Sequence, residues 1–146
     1  MKGFWTFSPW ISRLIILAVA VLFTMISAKF VFNPLQAAAD SGITVQSAIG
    51  TTNTRAGFGG FPLGFAAILF FCLFSSRRLL AALASIATVA VIILVVRLFG
   101  AAEDATWMQS AHLLIPEAAI FIVALLGAAM EVWRRRHIAS ARASGR

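Results

Sequence analysis

Apolar side chains gather in four long runs separated by short polar stretches, and that rhythm predicts four membrane-crossing helices. The runs lie near residues 10–32, 56–74, 79–99 and 111–133. Each is long enough to cross roughly 30 Å of hydrocarbon at about 1.5 Å per helical residue. The fold class expected is all-α: an integral membrane four-helix bundle forming a single four-span domain over residues 1–146, with a basic tail at 134–146. The turn at residues 75–78 is so short that the second and third spans must be antiparallel neighbours. Residues 33–54 read as a longer, irregular loop with a short helix over 35–39.

Composition removes the soluble alternatives. The chain is 61% hydrophobic and only 12% charged. A soluble domain of this size lacks the polar surface to cover so much apolar side chain. The first run also imitates a secretory signal, with Lys2 and Arg13 ahead of an apolar stretch and a small-residue triplet, Ile26-Ser27-Ala28. Apolar character continues past that triplet through Phe30-Val31-Phe32, so the run is read as a retained span.

Charge then orients the spans. Of the twelve Lys and Arg residues, Lys2, Arg13, Arg77, Arg78, Arg134, Arg135, Arg136, Arg142 and Arg146 fall on one side. The other side holds Lys29, Arg55 and Arg97 with Asp40, Glu103, Asp104 and Glu117. By the positive-inside rule both termini and the Arg77-Arg78 turn are cytoplasmic. The net charge of +7 therefore reads as membrane orientation, and no nucleic-acid partner is expected. Trp5, Trp10, Trp107 and Trp133 sit near span ends, where indoles favour the headgroup region.

Small residues mark where helices meet. Ala56, Gly60 and Gly64 recur every four residues, a spacing that lets another helix approach closely. Pro62 frees backbone groups near Phe58, so a bend is expected there. Ala124 and Ala128 form a milder version in the fourth span. Pro116 either interrupts that helix or is its first residue, where a missing amide hydrogen is harmless.

The chemistry with the highest stake is charge at depth. Arg55, Arg97 and Glu117 border or enter the apolar runs, with Lys29 one turn before the first span ends, all in one leaflet. A carboxylate there seeks a partner, and a guanidinium can hold it by two parallel hydrogen bonds. Arg55, Arg97 and Glu117 sum to +1, and Lys29 raises this to +2. That surplus favours an anionic or strongly polar ligand: a lipid phosphate, a carboxylate or a quinone carbonyl, with His112 adding a hydrogen bond. The plainer reading is that the basic side chains snorkel to the interface and Glu117 bridges two helices. Glu131 with Arg134 or Arg135 reads as an ordinary helical ion pair at the cytoplasmic rim.

Other site chemistry is thin. Cys72 stands alone, so no disulfide, redox couple or thiol metal pair is available, and no metal site is expected. His112 and His137 fall on opposite membrane sides, which disfavours a bis-histidine haem. The tail from Arg134 is expected to contact anionic lipid.

Four pieces in order carry a resemblance: Asn33-Pro34 after the first span, Arg55 with Gly59-Gly60 at the second, Arg97-Leu98-Phe99-Gly100 closing the third, and Glu117 in the fourth. Over roughly residues 15–133 the chain resembles the small bacterial membrane proteins grouped as domain of unknown function 4345, which look related to DoxX-like four-helix proteins. That resemblance implies a bacterial membrane location and an architecture similar to DoxX-like proteins, some of which accompany quinone-linked oxidoreductases as membrane subunits. The chain departs from a redox-active pattern in lacking Cys-x-x-Cys. With no catalytic constellation, the expected role is a non-enzymatic accessory or scaffold subunit that holds a lipid or quinone headgroup, in a larger membrane complex or a homo-oligomer. The alternative is a subunit of a quinone-linked oxidoreductase or a small-solute transporter using Arg55, Arg97 and Glu117 directly.

Overall fold

A computed structural model describes residues 2–144, with side chains described over 9–140. The side chains of Lys2, Trp5 and Arg142, and all of Arg146, lie outside the described part. The described chain is helical, without strands. Its elements are α1 (Lys2–Phe32), α2 (Pro34–Asp40), α3 (Ala48–Thr54), a π-helical turn (Arg55–Gly60), α4 (Phe61–Leu73), α5 (Leu79–Glu103) and α6 (Trp107–Ser144). Four stretches are long and apolar enough to cross a membrane: Pro9–Phe32, Ala48–Leu73, Leu79–Glu103 and Trp107–Ser140. Only 28%, 17%, 33% and 11% of their respective apolar windows is buried within the chain. The remainder presents hydrocarbon outward, a surface that only lipid or other membrane helices can cover.

Two compact units make up the chain, one of residues up to Ile16 with those from Ser75 onward, the other of Leu17–Phe74. In the first, α5 packs along α6. Ala82, Leu83, Ile86, Ala87 and Ala90 give α5 one buried face at helical spacing. Ala124, Gly127 and Glu131 continue a buried line on α6. A Cβ at Gly127 would stand 3.1 Å from both Ile15 Cδ1 and Leu83 Cδ2, so the glycine sets how closely these helices approach. The α5–α6 turn is tight: Asp104 N–H donates to Gly100 O, Thr106 N–H donates to Ala101 O, and Ala105 takes a φ of 52°.

The second unit corrects the expected loop. Residues 33–54 are mostly helical, and the second membrane-length stretch begins at Ala48 instead of Ala56. Ser47 caps α3, its Oγ accepting from Gly50 N–H at 3.1 Å. Thr51, Thr52 and Thr54 return their hydroxyls to carbonyls four residues back. Polar side chains that satisfy themselves on the helix read as loop by hydropathy while being helix in fact. The expected short helix at 35–39 is present as α2. It ends in a Schellman turn: Gly42, at φ 74°, donates to Ala39 O and Ile43 donates to Ala38 O.

Pro62 explains the π-helical turn. It has no N–H for the Phe58 carbonyl, and its ring crowds that oxygen. The backbone widens by one residue, and Phe61 N–H reaches Ala56 O. Close contact with α1 then falls at Gly59, where a Cβ would lie 2.7 Å from Val31 Cγ2. Phe58 stacks on Phe30 at 5.3 Å, and Phe65 meets Phe23 edge-on at 5.4 Å.

Candidate functional site

Arg97 and Glu117 come together, and they do so through two parallel hydrogen bonds along one edge of the guanidinium. Nε donates to Oε2 at 2.7 Å and Nη2 to Oε1 at 2.6 Å. The side chains are 30% and 20% exposed. This fork geometry holds a carboxylate in one orientation and ties α5 to α6. Pro116 lies well inside a continuous α6, so it is not the first residue of a shorter helix; its missing N–H withholds one bond from the His112 carbonyl without breaking the helix. The two charges cancel, and Glu117 has both oxygens engaged.

Arg55, in the other unit, has a different local task. Its Nε donates to Val31 O at 3.2 Å. Val31 is in the last turn of α1, where carbonyls lose their helical partners and carry partial negative charge, so a guanidinium is a fitting cap. Arg55 also lines a cleft of about 300 Å³ with Asn33, Gln36, Thr51, Phe32, Pro34 and Leu35. One uncompensated charge beside amide and hydroxyl groups suits a polar or anionic headgroup. Lys29 and His112, the other expected ligand groups, are exposed.

The small-residue face of the second span is exposed as well. Ala56, Gly60 and Gly64 are all open, and a Cβ on Gly64 would meet nothing within 4 Å. Within the chain the close approaches are made by Gly59 and Gly127 instead.

The most deeply buried charge among the described residues belongs to the ion pair expected at the cytoplasmic rim. Glu131 is fully buried. Its oxygens accept Nε–H and Nη2–H along one edge of Arg134 and, at 3.1 Å, Nε–H of Arg135. The i,i+3 and i,i+4 pairing is as expected, but it does more than decorate a rim. Arg135 Nη2 continues to the Arg77 carbonyl at 2.8 Å, clamping α6 to the turn before α5. Arg13 Nη2 reaches Ser76 Oγ in that same turn at 3.2 Å. The signal for this lay in register: Glu131 follows Ala124 and Gly127 at the spacing of one helix face.

Among the described residues no group of His, Cys, Asp and Glu is placed to hold a metal. Cys72 is half-buried in α4. No protein-family model, curated protein or solved structure matches this chain.

Proposed function

We propose that this chain is a non-enzymatic accessory subunit of a larger assembly in a bacterial inner membrane, crossing it four times with both termini in the cytoplasm. The observation that carries the reading is the open Ala56, Gly60 and Gly64 face on a membrane-length helix. In lipid, helices associate through close backbone approach, and such a face permits it. The charges within the spans favour a structural role too, since Arg97 and Glu117 neutralise each other and bind α5 to α6. The Arg55 cleft takes the headgroup of a lipid or quinone. The resemblance to DoxX-like proteins and the cytoplasmic bias of Arg13, Arg77, Arg78 and Arg134–Arg136 agree with this location.

Gly64→Leu tests the proposal, because the added side chain enters open space in the isolated chain. Extraction from native membranes in mild detergent should give a larger assembly with the parent chain and a smaller species with the variant, at an unchanged melting temperature. Equal assembly size in both would refute the role of this face. The oxidoreductase or transporter reading would instead show itself if Glu117→Gln stayed folded but lost turnover or uptake.

A further inference from the structure

A second cleft lies at the opposite end of α5 and α6 from the Arg97–Glu117 pair, and its wall is basic. It encloses about 360 Å³ and is lined by Ser76, Arg77, Arg134, Arg135, Ile138 and Ala139. We propose that this cleft binds a phosphate-bearing anion, supplied in the membrane by the headgroup of an acidic phospholipid.

Charge gives the first argument. Three arginines line the cleft, and the carboxylate engaging two of them, Glu131, is buried with its oxygens already accepting three N–H groups. Three positive charges against one negative leave a surplus of two. An acidic headgroup answers that surplus, whereas a zwitterionic one brings its own ammonium into a positive field.

Preorganisation gives the second. Arg134 is fixed along one edge by Glu131, and Arg135 is held through Nε by Glu131 and through Nη2 by the Arg77 carbonyl. Both keep further N–H donors beyond these bonds, in the planar fork that matches phosphate oxygens. Ser76 Oγ accepts from Arg13, which leaves its hydroxyl proton to donate. Because a buried carboxylate holds the arginines in place, little side-chain entropy remains to be lost on binding. The volume falls within the roughly 300–1,000 Å³ usual for small-molecule sites.

The surroundings give the third. Ile138 and Ala139 add an apolar wall suited to glycerol and the first methylenes of an acyl chain. Trp133, 64% exposed one residue before Arg134, is the kind of side chain that settles at headgroup level. This inference does not rest on the accessory role and holds whether or not a partner subunit exists.

The test uses the purified full-length chain, titrated with phosphatidylglycerol, phosphatidylcholine and, separately, inorganic phosphate, and read by native mass spectrometry. Phosphatidylglycerol should bind about tenfold more tightly than phosphatidylcholine, the scale of one added charge-assisted hydrogen bond. Arg77→Gln should remove that preference; Arg77 is exposed, and the carbonyl that Arg135 uses is retained. Arg136→Gln deletes the same charge at an exposed position outside the lining and should leave the preference intact. Displacement of the lipid by inorganic phosphate at comparable concentration would assign the site to free phosphate, and failure to displace it would assign the site to the lipid. Equal binding of the two lipids without phosphate binding, or equal loss in both variants, would overturn the proposal.

Discussion

Glu131 and Glu117 are both held by arginine forks, yet their surroundings differ enough to predict different consequences. Glu131 is wholly buried, while the Arg97–Glu117 pair keeps some contact with its exterior. Removing one partner of a buried ion pair leaves the others desolvated and unsatisfied, which costs about 3–5 kcal/mol. Glu131→Ala should therefore lower the melting temperature in detergent more than Glu117→Ala does; the reverse order would show that Glu131 is not the stronger tie. At this scale the sequence was informative where charge met hydrocarbon. Arg97 and Glu117 stood out because an ionisable group in an apolar run is costly. Glu131 did not, because arginines three and four residues away look the same whether the carboxylate is buried or solvated. Its register with Ala124 and Gly127 was the legible clue.

Helices and turns obey the same logic of satisfied backbone. The four apolar runs were visible because lipid-facing helices need uninterrupted hydrocarbon, and α5 begins at Leu79 as expected. The start of the second membrane-length stretch was hidden because its first turns, from Ala48 to Thr54, carry threonines and an asparagine whose polarity masks helix. Just before Pro62, where a bend is expected, the backbone forms a π-helical turn, and the close approach to α1 falls on Gly59. That contact is open to experiment. Gly59→Ala would drive a Cβ to 2.7 Å from Val31 Cγ2 and 3.3 Å from the Val31 backbone nitrogen. Overpacking of this kind costs about 1–3 kcal/mol. Val31→Ala in the same chain should restore part of the loss by removing the nearer atom. Additive effects in that double-mutant cycle would mean the two residues do not touch.

For the whole molecule the governing fact is that four apolar, membrane-length helices leave most of their surface uncovered by the chain itself. Lipid must be the solvent, and the few charged groups within the spans must find partners locally, as Arg97, Glu117 and Arg55 do. Cysteine labelling tests the crossings most directly. In a Cys72→Ala background, Ser41→Cys, Ser76→Cys and Asp104→Cys place single thiols between successive stretches, and Ser140→Cys places one at the end of the fourth. An impermeant maleimide added to intact spheroplasts should modify Ser41→Cys and Asp104→Cys at once, and Ser76→Cys and Ser140→Cys only after lysis. Labelling of all four from the same side would contradict a chain that crosses the bilayer four times.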